Sequence, residues 1–221
     1  MKYIFSIILL IPLLSLGQTK EEPVFGLKFY ATPDLTFGKY HNNLDLFKFS
    51  PAITISKNEG RFFEFGISEL KLSTNSYNNI GQTSRMMPEG IYTQKHTSIG
   101  IYAEQNYRLF NSKNQKWEFY LGPRVGVSYW RMNFEPFGGY TASPNYNILN
   151  FDIGITPRVN YNVNNRISLD LSMPISYRTQ QRFGNEFEPY GFITNSPVNY
   201  NEIISNITAN LRLGINIKLF K

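Results

Sequence analysis

The chain of 221 residues contains no cysteine. That excludes disulfides and thiolate-bound metals, and it excludes the lipid-modified cysteine that anchors a bacterial lipoprotein. Histidine is almost missing too, with only His41 and His96, so histidine-based catalysis has little to work with. No run of about 20 apolar residues occurs, which rules out a bundle of membrane-crossing helices. Charged residues are only 17%, and the net charge of +6 is interleaved along the chain instead of gathered in a patch. A nucleic-acid surface is therefore not expected.

One short apolar run spans 4–16, interrupted by Ser6, Pro12 and Ser15. It follows Met1-Lys2 and ends in Ser15-Leu16-Gly17, with small residues where a signal peptidase reads. At roughly 13 residues it is short for a membrane span and has the form of a cleaved secretory signal. The expected layout is a signal over 1–17, a polar leader over 18–23 and one β-domain over 24–221, with Gln18 the first mature residue. Export would also separate the chain from nucleic acid.

What the sequence has in abundance is alternation. In the last stretch Ile207, Ala209, Leu211, Leu213, Ile215, Ile217 and Leu219 are apolar. The residues between them are Thr208, Asn210, Arg212, Gly214, Asn216 and Lys218. This unbroken period of two makes a strand with one apolar and one polar face. It is longer than the ~5–6 residues of an ordinary strand. A tilted strand crossing a bilayer has this pattern, with lipid outside and a polar barrel interior within.

The same pattern predicts seven earlier strands, over 24–37, 46–56, 61–73, 96–109, 117–132, 148–163 and 166–178. Pro51 predicts a weakly paired site in the second. A parity slip predicts a bulge near Glu69 in the third. The connections alternate long and short. The short ones are 57–60, 111–116 and a two-residue turn at Asn164-Asn165; the long ones are 38–45, 74–95, 133–147 and 179–202. An even strand number puts both termini and the tight turns on the periplasmic side and the long loops outside. The expected fold is all-β: an eight-stranded antiparallel up-and-down transmembrane β-barrel, closed so that no strand edge faces lipid.

Two sets of residues follow from parity and topology. Phe25, Tyr107, Tyr161 and Phe220 fall at the periplasmic ends of strands, and Tyr129 and Tyr177 at the outer ends, where interfacial aromatic girdles are expected. The inward charges are Lys28, Lys48, Arg108, Arg124, Arg158, Arg178, Arg212 and Lys218, with Glu64, Glu104, Glu118, Asp152 and Asp170. An eight-stranded barrel has room only for side chains inside. These charges should pair across the lumen and plug it, because unpaired buried charges are costly. A general diffusion pore, which takes roughly 16–18 strands, is excluded. The basic excess leaves open an anion held in a water pocket.

The signal, the alternating strands, the loop asymmetry and the terminal strand resemble the small outer-membrane β-barrel family of OmpA-barrel, OmpX and PorT-like proteins. The likeness covers 24–220 and is one of architecture, with no catalytic motif. It implies a cell outer membrane location, contact with outer-membrane lipid and lipopolysaccharide, and recognition of the C-terminal strand by the barrel-assembly machinery. The terminal strand resembles that assembly signal in ending on the aromatic Phe220, with Lys221 after it. The anchoring role of two-domain relatives that bind peptidoglycan is not implied.

Two other classes stay open at this point. His96 and Ser98, two apart on one strand face, resemble the His-x-Ser element of outer-membrane lipid A deacylases, with Glu104 as a conceivable orienting acid. Parity turns both toward the lumen, however, and Glu104 is about 20 Å along the strand from Ser98 at ~3.3 Å per residue. A soluble periplasmic barrel of lipocalin type would need the apolar face inside. Parity alone does not say which face that is. The expectation is a monomer without catalytic site, cofactor or metal, acting on an unknown surface partner through its outer loops, with Lys95 and Arg182 available to lipopolysaccharide.

Overall fold

The computed structural model describes residues 24–33, 47–58, 60–79, 90–114, 116–136, 145–187 and 197–220. The signal, the leader and the 38–45 connection with His41 lie outside the described residues. Ten strands form: β1 (Val24–Pro33), β2 (Phe47–Asn58), β3 (Arg61–Asn79), β4 (Gly90–Asn111), β5 (Trp117–Pro136), β6 (Asn145–Asn162), β7 (Ile167–Ser172), β8 (Ile175–Phe187), β9 (Pro197–Ala209) and β10 (Arg212–Phe220). All pairings are antiparallel, and the ring closes where β10 pairs with β1 and β5 with β6. β7 and β8 are the lower and upper parts of one barrel strand, and β10 and β9 those of the next. The barrel therefore has eight strands.

The two interruptions are hidden in the sequence by the unbroken apolar alternation. They lie side by side, because Ser172 pairs with Arg212 and Ile175 with Ala209. Pro174 has no N–H for the ladder, and Pro157 stands beside it on β6. Register survives the break: the Met173 amide donates to the Pro157 carbonyl at 3.0 Å, and the Asn210 amide to the Pro174 carbonyl at 3.1 Å. Every side chain beyond the break keeps its face.

At one end lie three tight connections. Gly60, at φ 103°, takes a left-handed conformation that favours glycine and turns the chain into β3. The turn expected at Asn164-Asn165 is longer, running over 163–166 between β6 and β7. It is closed by the Asn164 side chain, whose Oδ1 accepts from the backbone amides of Arg166 and Ile167, both at 2.8 Å. This local capping is what Asn does well in turns. The register shift in β3 falls between Ile67 and Glu69. Pairing of β2 with β3 begins at Ala52, next to Pro51, while β1 pairs through Pro51 without a shift.

At the other end the long loops are shorter than expected. β3 to β6 run for 19, 22, 20 and 18 residues, about twice the ~9–11 that a crossing needs. Residues assigned to loops pair as hairpin arms: Asn79 with Gly90, Asn133 with Asn145, Phe187 with Pro197. The loop bounds 74–95, 133–147 and 179–202 are corrected accordingly. Asn- and Gly-rich stretches have weak intrinsic strand preference, yet a ladder already begun in the wall carries them along.

The faces are unambiguous. Phe29, Ile153 and Ile215 are 52%, 61% and 48% exposed, whereas Lys28, Glu64 and Arg158 are at most 2% exposed. Charges fill the inside and an apolar band surrounds the outside. In water such a band would be a very large exposed patch. In a bilayer it is the arrangement that a spanning barrel requires, and closure satisfies the backbone without solvent. The chain is a transmembrane β-barrel, and no apolar cavity of lipocalin type occurs among the described residues.

Candidate functional site: the charged lumen

Seven charges meet at mid-barrel. The Glu64 carboxylate accepts from Lys28 Nζ at 3.0 Å, from the Tyr30 and Tyr102 hydroxyls at 2.8 Å each, and from Arg158 Nη1 at 2.5 Å. Glu104 accepts from Arg158 Nη2 at 2.6 Å, from Arg212 Nη2 at 2.8 Å and from Arg124 Nη1. Asp170 lies 2.8 Å from Lys28 and 3.1 Å from Arg158. Arg158 thus touches all three carboxylates.

Register explains why these side chains converge. Glu64 stands directly across from Glu104, and Glu104 across from Arg124. Like charges facing each other across a ladder repel, so the guanidinium groups of Arg158 and Arg212 between them are a condition of the fold. Two glycines make room. Tyr30 lies opposite Gly214 and Tyr102 opposite Gly66. A Cβ on Gly66 would stand 2.5 Å from the Tyr102 ring, and one on Gly214 2.6 Å from the Tyr30 ring. The flat rings fill those notches, point their hydroxyls at Glu64, and stack on Arg212 at 4.7 Å and 5.1 Å. Phe62 adds a face to Lys28 at 4.5 Å. Breaking one member of such a buried set strands the others in low dielectric.

The remaining parity-assigned charges are placed differently. Arg108 pairs with Glu118 at 3.2 Å near the turns, half-buried, and Tyr120 donates to the same carboxylate at 3.1 Å. Arg178 makes two bonds to Asp152, at 2.7 Å and 3.2 Å, in the upper lumen. The Lys48 side chain lies outside the described residues. Lys218 has inward parity and stands opposite the buried Gly26, but it lies at the turn end of β10 and is exposed, so it is corrected from a lumen partner to a rim charge. Between the cluster and the Arg178–Asp152 pair is a cavity of about 330 Å³, bordered by Arg124, Arg212, Arg178, Asp152, Glu69 and Trp130 among others.

Of the aromatic set, Phe25, Tyr107 and Tyr177 are exposed at 41%, 39% and 53% on the outer surface. Tyr161 packs on Trp117 at 4.7 Å. Tyr129 donates its hydroxyl to Asn147 at 2.8 Å. Phe220 stands opposite Phe25, and its side chain lies outside the described residues. The girdle set left out Trp117 and the stacked Phe110–Phe119 pair, 4.2 Å apart; Phe110 has inward parity, and the register shift between Arg108 and Phe110 turns it outward. Parity turns Tyr30, Phe62 and Tyr102 inward, but a tally of charges alone passed over them. The signal available was an aromatic on the polar face set against a glycine on the neighbouring strand.

The His-x-Ser pair lies in the part of β4 that pairs with the upper half of β5. Ser98 is fully buried and its Oγ has no partner, while His96 is half-buried against Trp130 at 5.6 Å. Glu104 has its oxygens engaged by three arginines at mid-barrel and cannot orient a histidine near the rim.

No family model and no curated protein matches the sequence. Among solved structures, the chain is similar to a major outer membrane protein from Thermus thermophilus, with a TM-score of 0.48 and 9% identity over 90% of this chain and 100% of that one. It is also similar to CarO of Acinetobacter baumannii, with a TM-score of 0.36 and 10% identity over 89% of this chain and 97% of that one.

Proposed function

We propose that the protein is a non-enzymatic barrel of the cell outer membrane, closed to bulk solute by its lumen plug, that acts through the tall strand extensions and outer connections. The observation that carries this reading is the seven-charge cluster beneath hairpin arms that rise well past the apolar band. A plug of paired charges stabilises a scaffold and conducts little. Arms built from β3 to β6 and from β8 and β9 present polar side chains such as Lys95, Thr97, Arg131 and Asn201 to a surface partner. Arg182, tied to Glu202 at 3.4 Å and to Gln180 at 3.2 Å, and Lys95 suit lipopolysaccharide. In this reading the 1–17 segment is removed on export, and the terminal strand is handed to the barrel-assembly machinery.

The test pairs two measurements on the full chain. Detergent-extracted outer membranes run unboiled and boiled should show a heat-dependent band shift. The purified barrel in a planar bilayer should then give no steady conductance of porin size. A shift with large, stable channels would overturn the plug. Recovery from the soluble periplasm without a shift would overturn the membrane location.

A further inference from the structure

The mid-barrel cluster does not balance. Lys28, Arg124, Arg158 and Arg212 bring four positive charges to the three carboxylates of Glu64, Glu104 and Asp170. Glu118 is tied to Arg108 and Asp152 to Arg178, and the remaining acid near the cluster among the described residues is Glu69, at the edge of the cavity. Around the cavity itself three guanidinium groups, of Arg124, Arg178 and Arg212, stand against two carboxylates, of Glu69 and Asp152.

The excess faces the cavity. Among the described residues Arg124 makes one hydrogen bond, to Glu104. Arg212 is 5% exposed, and its Nε and Nη1 have no hydrogen-bond partner; Nη1 is still 3.9 Å from Glu64. A guanidinium has five N–H donors and no acceptor, and Arg124 lends Glu104 only its Nη1, which leaves donors on the cavity floor. Arg178 borders the same space from above, with Ser50, Ser128 and Ser176 on its walls. The volume of about 330 Å³ corresponds to roughly ten waters at ~30 Å³ each. An anion with part of its hydration shell fits.

We propose that this cavity is a binding site for a small free oxyanion, a phosphate or carboxylate, held by Arg124 and Arg212 with Arg178 opposite. The anion answers the third guanidinium at the cavity and accepts charge-assisted hydrogen bonds from the arginines that line it. Asp152 neutralises Arg178 in part, and Glu69 borders the site as an opposing charge that limits affinity. The plug is then a receptor as well as a stopper.

The two tryptophans make the test direct. Trp130 borders the cavity and Trp117 is exposed at the turn end, so W117F leaves one reporter. The folded full chain in neutral detergent is titrated with inorganic phosphate, with ionic strength held by sodium chloride. The expected result is a saturable change in Trp130 emission. R124M should weaken it by about tenfold or more, as removal of a charge-assisted contact does, while E69Q should tighten it. If R124M does not give the heat-dependent band shift of a folded barrel, R178Q serves in its place, with the same direction expected. A response no different from that to chloride overturns the proposal. So does unchanged affinity in the folded arginine variant, which would leave Arg124 a structural part of the plug only.

Discussion

Glu64 and Asp152 both hold arginines on the inside of one barrel, and they do so under different conditions. Glu64 is fully buried and takes four donors from three strands, a cross-lumen arginine among them. Asp152 faces a single arginine on the neighbouring strand, and that arginine's side chain is 25% exposed. Depth therefore separates a structural hub from a replaceable pair. The sharpest way to break this comparison is E64Q, which leaves four cations facing two carboxylates. It should lower barrel stability by about 3–5 kcal/mol, the usual cost of stranding a buried charge. Urea unfolding of the barrel in liposomes, followed by the band shift, measures it. A loss below ~1 kcal/mol, the range of exposed pairs, would mean that water reaches the cluster freely and that depth does not matter here.

The second contrast is between the two faces of β10. Arg212, Gly214 and Asn216 point inward and are buried, while Leu213, Ile215 and Ile217 point to lipid. A charge is tolerated on the first face because partners wait for it. On the second it has none. I215K should cost about 2–4 kcal/mol, as lysine does near the midplane of a spanning barrel, and should slow appearance of the heat-shifted form during assembly. A neutral result would place Ile215 away from the hydrocarbon and overturn the membrane reading of that face.

The sequence carried the period of two, and with it the strand count, the order of connections and the sign of each face. It carried them because lipid outside and charge inside act on every residue of a crossing strand. Where that pressure ends, legibility ends too. The arms at 74–79 and 90–95, TNSYNN and GIYTQK, are mostly polar without alternation, and they read as loop although the ladder runs through them. The breaks at Met173-Pro174 and Asn210-Leu211 were invisible because register, and so parity, does not slip across them. Of the site, parity named the charges but not their grouping. Which of them share a partner depends on barrel closure and cross-lumen reach, as with Arg158 and Glu64, which lie 94 residues apart. Parity also could not see that Lys218, at the turn end of its strand, is exposed.

Between hub and pair stand the glycines that let Tyr102 and Tyr30 reach Glu64. G66V keeps every charge and removes only the notch. It should destabilise by about 1–3 kcal/mol through overpacking, because the Tyr102 ring cannot yield without losing its hydroxyl bond to Glu64. G66V with Y102F should then cost little more than G66V alone, since the bond is already gone. Full additivity in that cycle would show that the ring moves without disturbing the hub.

The smallest effect should come from the upper pair. D152N removes the partner of Arg178 where water already screens it, and exposed or half-exposed ion pairs contribute about 0–1 kcal/mol. Stability in the same urea assay should therefore change by less than ~1 kcal/mol, several times below E64Q. The variant still sharpens the comparison, because Arg178 is freed to face the cavity. In the phosphate titration D152N should bind more tightly than the parent while its stability barely moves. E64Q, by contrast, also adds net positive charge to the lumen but does so by dismantling the floor on which Arg124 and Arg212 rest. If both variants tightened binding equally, net charge alone would govern the cavity. If only D152N did, arrangement governs it.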